Sequence, residues 1–123
     1  MADILIVDDD PILVEILGFN LEAAGHSICV AKNGEEALTM LEGKHPDLLI
    51  LDSMMPIMSG PEVLSAMKSD PNLENIPVLM LTARDRENDV VSALQSGADE
   101  YMTKPFIPQE LIARIDTIFR RRK

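Results

Sequence analysis

Five short apolar runs alternate along this chain with stretches whose apolar residues recur at helical spacing, and this alternation constrains the fold most strongly. It is typical of a parallel sheet with helices on its faces, because each parallel strand must be reached through a crossover connection. The segments DLLILD and PVLMLT are continuously apolar, as strands covered on both faces are. The predicted strands are residues 4–7, 27–31, 48–51, 78–81 and 100–103.

Residues that cap helices divide the rest of the chain into five predicted helices. Asp10 followed by Pro11 is typical of an N-cap and a first helical position, and Gly25 is typical of the left-handed residue that ends a helix. Ser59 and Glu62 stand at the spacing of a capping box. The other predicted limits are Asn33 and Gly43 for the second helix, residues 86–96 for the fourth, and a start near Pro108 for the fifth.

Length, composition and charge narrow the class of protein. A chain of 123 residues with 46% hydrophobic and 26% charged residues predicts one globular domain, residues 1–123. No apolar run approaches the roughly 20 residues that span a bilayer, and MADILIV lacks a signal-peptide pattern, so we expect a cytoplasmic protein without a membrane partner. The net charge of −10 disfavours direct binding of nucleic acid by this domain. The single cysteine, Cys29, is expected to be a small buried hydrophobe.

Polar residues collect where the predicted strands end. In an open parallel sheet the carboxyl ends of the strands lie along one edge, and ligands bind there. That edge would bring together Asp8, Asp9, Asp52, Thr82 and Lys104. Carboxylates crowded in this way, with Asp10 beside them, raise one another's pKa unless a cation lies among them. The three consecutive aspartates, Asp8 to Asp10, are therefore either a solvated strand end that caps the next helix or part of a cation site.

The residue types at this edge favour Mg²⁺ over other metals. Hard oxygen ligands suit Mg²⁺, and no histidine or thiol stands at these positions to select zinc. With the metal bound, Asp52 can stay ionised and attack phosphorus. Lys104 and the hydroxyl of Thr82 can then meet the new phosphoryl oxygens.

Four segments, in this order, resemble the receiver domain of bacterial two-component response regulators: LIVDDD, DLLILDSMMPIMSGPEVL, IPVLMLTA and GADEYMTKPF. The resemblance covers the whole chain. It implies a flavodoxin-like, doubly wound α/β fold, with a five-stranded parallel sheet in the order 2-1-3-4-5 and five helices. It also implies that Asp52 is the phospho-acceptor and that Lys104 pairs with the acyl phosphate. The Mg²⁺ ligands would be Asp8, Asp9, Asp52 and the backbone carbonyl of Met54, leaving Asp10 to cap the first helix.

The same resemblance implies a switch built from three residues. The hydroxyl of Thr82 would move toward the phosphoryl group, and the small Ala83 would leave room for it. The ring of Tyr101 would swing inward as Thr82 moves; the alternative is a strand tyrosine that only packs its ring. The bond between Lys104 and Pro105 is expected to be cis.

A switch of this kind implies partners on two sides. A sensor histidine kinase or phosphotransfer protein would donate to Asp52, and a downstream protein or a fused effector domain would respond to the surface formed by the fourth helix, fifth strand and fifth helix. The arginine-rich end, residues 120–123, either completes the last helix, whose dipole favours cations there, or leads into an effector domain of a transcription-factor type.

Glu110 and Arg114 fit the charge pattern of relatives that dimerise through the surface of the fourth helix, fifth strand and fifth helix, whereas three positions depart from it: Val90, Ser92 and Asp116. We expect a monomer or a phosphorylation-dependent dimer.

Two other function classes compete with the switch. A metal-dependent phosphohydrolase also uses an aspartate nucleophile, but it needs a second positioned acid and a cap over its substrate, and the short loops supply neither. A flavin-binding electron carrier needs a phosphate-binding loop after the first strand, where three aspartates would repel the ligand. The prediction is therefore a regulatory domain that catalyses only its own phosphorylation and dephosphorylation, with the phosphohydrolase as the alternative.

Overall fold

The computed structural model describes residues 2–55, 57–83 and 97–121, which contain one five-stranded sheet. Its strands are β1 (Asp3–Val7), β2 (Ser27–Ala31), β3 (Leu48–Asp52), β4 (Val78–Ala83) and β5 (Glu100–Lys104). Every pairing is parallel, and the order β2-β1-β3-β4-β5 confirms the predicted order 2-1-3-4-5. The flavodoxin-like α/β fold is thus confirmed.

Four helices lie in the described part of the chain: α1 (Pro11–Ala23), α2 (Gly34–Gly43), α3 (Gly60–Lys68) and the C-terminal helix (Pro108–Arg121). Asp10 caps α1 as predicted, since its Oδ1 accepts from the N–H of Ile12 at 3.0 Å. The capping box of α3 is complete: the Ser59 N–H donates to Glu62 Oε1 at 3.1 Å, and the Glu62 N–H donates to Ser59 Oγ at 3.4 Å. The helix predicted at residues 86–96 lies outside the described residues.

Each face of the sheet carries an apolar layer, because successive residues of a strand point to opposite sides. On one face, here the α2–α3 face, Leu49 and Leu51 of β3 pack with residues of α2 and α3. On the other, the α1 face, Ile50 packs with α1 and the C-terminal helix. Burying one such leucine or isoleucine contributes roughly 1.5–3 kcal/mol. The two layers therefore hold the strands, and the residues at their ends, in fixed relative positions.

Three strands end one or two residues later than predicted, and all of the extra residues except Ala83 are polar. β3 ends at Asp52, β4 at Ala83 and β5 at Lys104. The sheet register pairs Asp52 with Leu81 and Ala83 with Lys104. The peptide bond between Lys104 and Pro105 is cis, as expected. The strand-end residues are thus positioned by the hydrogen-bonded ladder and not by flexible loops.

The prediction that Cys29 is buried is wrong. β2 is an edge strand with a neighbouring strand on one side only in the described sheet, and Cys29 is exposed. Of the methionines after β3, Met55 and Met58 pack against the core while Met54 is half exposed.

Among the described helices, none is both long and apolar enough to cross a bilayer.

Candidate functional site

The carboxyl edge of the sheet brings three acidic side chains together. Asp8 and Asp9 follow β1, and Asp52 is the last residue of β3. One carboxylate oxygen from each of the three lies within 4.8 Å of the others. Asp8 and Asp52 are only 2% and 5% exposed, whereas Asp9 faces solvent. The site therefore combines two buried carboxylates with one that is accessible from outside.

Lys104 reaches both buried carboxylates from the end of β5. Its Nζ lies 3.2 Å from Asp8 Oδ2 and 3.2 Å from Asp52 Oδ1. Sequence reasoning placed Lys104 at the same edge as Asp8 and Asp52, and the structure adds its direct contact with both carboxylates. Among the residues that the structure describes, one ammonium stands against three carboxylates, so these groups together keep excess negative charge. Such an arrangement suits a further cation.

The pKa values of Asp52 and Lys104 follow from this geometry. Burial, with the nearby charge of Asp8, raises the pKa of Asp52 above its ordinary value, although Lys104 and the Met54 N–H oppose the shift. Burial alone would lower the pKa of Lys104, but the Asp52 and Asp8 carboxylates outweigh it and raise that pKa. Lys104 is therefore a fixed positive charge at neutral pH. Asp52 is the carboxylate that a second cation would help to keep ionised.

Backbone groups orient the two buried carboxylates. The Asp10 N–H donates to Asp8 Oδ1 at 2.9 Å, and the Met54 N–H donates to Asp52 Oδ1 at 3.4 Å. Met54, whose carbonyl was predicted as a metal ligand, thus lies in the turn directly after Asp52. Carboxylate and carbonyl oxygens are the ligands that Mg²⁺ prefers. The residue types and their spacing fit this metal.

The residues predicted to form a switch lie on β4 and β5, beside the acidic cluster. Thr82 is fully buried, and its Oγ1 has no hydrogen-bond partner among the described residues. Ala83 ends β4 opposite Lys104 in the sheet register. Tyr101 is half-buried on β5 and packs against the core of the α2–α3 face. The structure therefore brings Thr82 and Lys104 to the same edge, with Tyr101 further down the neighbouring strand.

Sequence reasoning assigned no role to Gly60, although it predicted that a helix begins beside it at Ser59. A Cβ at this position would lie 2.3 Å from the carbonyl oxygen of Asp52 and 2.8 Å from Ser53 Cα. The Gly60 N–H also donates to the Ser53 carbonyl at 3.2 Å. The start of α3 is therefore pressed against the backbone of Asp52, and only glycine fits this approach. The available signal was a glycine at a first helical position, where the capping box does not require one.

Comparison with known proteins agrees with this geometry. The family model of the response regulator receiver domain matches residues 4–116. The chain is 47% identical over 118 residues to the alkaline phosphatase synthesis transcriptional regulatory protein PhoP of Bacillus subtilis, covering 96% of this chain and 48% of that protein. It is 44% identical over 118 residues to the DNA-binding response regulator MtrA of Mycolicibacterium smegmatis, covering 96% of this chain and 50% of that protein.

Solved structures of related domains superpose closely on this fold. A putative response regulator from Chloroflexus aurantiacus is 37% identical with a TM-score of 0.92, covering 95% of this chain and 96% of that one. The receiver domain of the Francisella response regulator 1452 is 32% identical with a TM-score of 0.91, and each chain is covered completely.

The chain spans about half the length of the curated relatives it matches. The matches give no support to the phosphohydrolase alternative, because they are to response regulators. A family model that covers most of the chain, with relatives above 30% identity along nearly all of it, shows that this chain belongs to the response regulator receiver domain family.

Proposed function

We propose that this chain is a phosphorylation-dependent switch of a two-component system, in which Asp52 accepts the phosphoryl group. The observation that carries the proposal is the buried Asp52 carboxylate, held beside Asp8 and Lys104 at the carboxyl edge of the sheet. A nucleophile for phosphoryl transfer needs a fixed position and neutralised surroundings more than covalent help. Membership of the receiver family supports the same role.

Phosphoryl transfer to Asp52 has a simple balance of bonds. An Asp52 oxygen bonds to phosphorus while the bond from phosphorus to the donor nitrogen breaks, and the donor is a histidine of a sensor kinase or phosphotransfer protein. Mg²⁺, held by Asp8, Asp9, Asp52 and the Met54 carbonyl, would neutralise the phosphoryl oxygens. Lys104 would pair with another phosphoryl oxygen, replacing its present bond to Asp52.

The switch itself would pass through the neighbouring strands. A phosphoryl group adds a charge of about −2 and strong acceptor oxygens. The hydroxyl of Thr82 lacks a partner among the described residues, so a phosphoryl oxygen at Asp52 offers it one. Movement of Thr82 past the small Ala83 would open space for the half-buried ring of Tyr101. One covalent group then shifts the population between two arrangements of the same fold.

The surface that responds would include β5 and the C-terminal helix, together with the fourth helix predicted at residues 86–96, which lies outside the described residues. On it, Arg114 pairs within the chain, at 3.0 Å to Glu100 and 3.0 Å to Glu110. An effector partner, fused after residues 120–123 or separate, would read this surface, as the transcriptional regulators among the relatives suggest. The domain would work in the cytoplasm, as a monomer or a phosphorylation-dependent dimer, and would not itself contact nucleic acid. Its only catalysis would be its own phosphorylation and dephosphorylation.

Intact-protein mass after incubation with acetyl phosphate tests the proposal. We expect wild-type protein to gain the mass of one phosphoryl group only when Mg²⁺ is present, and Asp52→Asn to gain none. The Asp70→Asn variant is the matched control and should gain the group as wild type does, because Asp70 follows the C-terminal end of α3 and it is the other end of that helix that lies against Asp52. An adduct that persists in Asp52→Asn would overturn the assignment of the acceptor.

A further inference from the structure

Two buried hydroxyls at the carboxyl edge of the sheet lack a hydrogen-bond partner within the part of the chain that the structure describes: Thr82 Oγ1 and Ser53 Oγ. Thr82 has a place in the proposed switch, whereas Ser53 has none. Buried polar groups in native proteins are nearly always paired, and one that is not calls for an explanation. Ser53 directly follows the proposed acceptor and is only 5% exposed.

The sheet register makes Ser53 and Thr82 neighbours. Leu51 lies opposite Met80 and Asp52 lies opposite Leu81. The Ser53 N–H donates to the Leu81 carbonyl at 2.8 Å, which continues the ladder by one step. Ser53 is therefore the next residue across from Thr82, on strands that are about 4.8 Å apart.

The two hydroxyls also lie on the same face of the sheet. Leu51 and Met80 both pack into the core of the α2–α3 face. Side chains alternate along a strand, so the residues two positions further on, Ser53 and Thr82, return to that face. The backbone of Ser53 is held on both sides, because its carbonyl accepts from the Gly60 N–H at 3.2 Å. With its backbone held in this way, the Ser53 hydroxyl changes direction by rotation about the Cα–Cβ bond.

We propose that Ser53 orients the Thr82 hydroxyl in the phosphorylated state. A hydroxyl donates one hydrogen bond and accepts two. Thr82 spends its only proton on a phosphoryl oxygen, and its free lone pairs then accept from the Ser53 hydroxyl. In this chain of bonds each donor polarises the next, which strengthens the contact with the phosphoryl group. Ser53 is thus a positioning residue that acts through Thr82, and its role rests on the proposed function of Asp52 and Thr82.

The test compares the affinity for beryllofluoride with Mg²⁺, a phosphoryl mimic, in a double-mutant cycle followed by amide NMR. Ser53→Ala should weaken binding roughly two- to twelvefold, which is the net worth of one hydrogen bond. In a Thr82→Ala background the same change should have no effect. The urea midpoint of unliganded Ser53→Ala should not fall, because its hydroxyl is unpaired in that state. Ser65→Ala, an exposed serine of α3, is the matched control and should bind as wild type does.

Three outcomes would overturn the inference. Unchanged affinity in Ser53→Ala means that Ser53 takes no part in the bound state. An equal loss with and without Thr82 means that Ser53 acts by another route. A fall in the unliganded urea midpoint means that Ser53 has a structural role, and Ser53→Cys, which keeps the shape with a weaker donor, checks this with less disturbance of packing. If wild-type protein binds no beryllofluoride, the proposed function fails as well; binding in wild type but not in Asp52→Asn preserves that function whatever Ser53 does.

Discussion

Replacement of Lys104 by methionine should expose how strongly the acidic cluster depends on a cation. The change removes the ammonium and keeps most of the side-chain length. It leaves the Asp8 and Asp52 carboxylates, which are 1% and 7% exposed at their side chains, without the ion pair that each makes at 3.2 Å. We expect the free energy of unfolding to fall, because buried charges without partners are costly.

The size of the loss follows from the burial of the three groups. Removing one partner of a buried ion pair costs about 3–5 kcal/mol. The Lys104 side chain is 29% exposed, so water reaches its place and reduces the penalty. We therefore expect a loss of about 2–3 kcal/mol at neutral pH. Lys44→Met is the matched control: Lys44 pairs with Asp3 at 3.6 Å, the two side chains are 72% and 48% exposed, and such a solvated pair contributes roughly 0–1 kcal/mol.

Urea unfolding measures the loss, with pH and Mg²⁺ as two further tests. At acidic pH Asp52, whose pKa is raised by burial, is protonated in the folded chain, so its ion pair with Lys104 is absent from wild type too and the difference between wild type and Lys104→Met should shrink. Added Mg²⁺ binds the folded state and should restore part of the lost stability in Lys104→Met. A loss below about 1 kcal/mol at neutral pH, or one that is undiminished in acid, would refute the reasoning.

Three further predictions concern neighbouring residues. Burial and the charge of Asp8 raise the pKa of Asp52, so the folded chain binds more protons than the unfolded one and loses stability as pH rises through the raised value. Asp52→Asn should therefore increase the urea midpoint at neutral pH but not in acid. Equal midpoints for wild type and Asp52→Asn at both pH values would contradict this. Gly60→Ala should lower the free energy of unfolding in urea by about 1–3 kcal/mol and reduce phosphorylation, because the added Cβ would meet the Asp52 backbone. Gly43→Ala, where a Cβ has open space, should not destabilise the chain. Hydrogen bonds from the backbone and hydroxyl of Ser59 lower the pKa of Glu62, so the stability that ionised Glu62 gives the folded chain is complete above the ordinary pKa of 4.5 and is lost as pH falls through the lowered value. On acidification, Glu62→Ala should therefore lose less stability than wild type does, as measured by thermal unfolding across pH.

The position of the site could be predicted from the sequence because it follows from one general rule of parallel sheets. The carboxyl ends of the strands share one edge, so Asp8, Asp52 and Lys104 had to converge once the strands were recognised. Local signals were equally sufficient for the helix starts, since Asp10 and Ser59 act on N–H groups only two or three residues away.

Features that depend on how separate elements pack could not be predicted from local pattern. The close approach of Gly60 to Asp52 follows from the packing of α3 against β3, and the spacing of residues in the sequence does not reveal that packing. The second contact of Lys104, with Asp8, depends on the path of its side chain across the sheet. Cys29 was assigned to the core from its residue type, although the order 2-1-3-4-5 already implied that its strand is at the edge.

Mapping the phosphoryl adduct to one residue tests the central claim most directly. Protein incubated with acetyl phosphate and Mg²⁺ is treated with borohydride, which reduces an aspartyl phosphate to homoserine, and the digested peptides are sequenced by mass spectrometry. The proposed site predicts homoserine in place of Asp52, none at Asp8 or Asp9, and none without Mg²⁺. Homoserine at another aspartate, or an adduct that borohydride does not convert, would contradict the assignment of Asp52 as the phospho-acceptor.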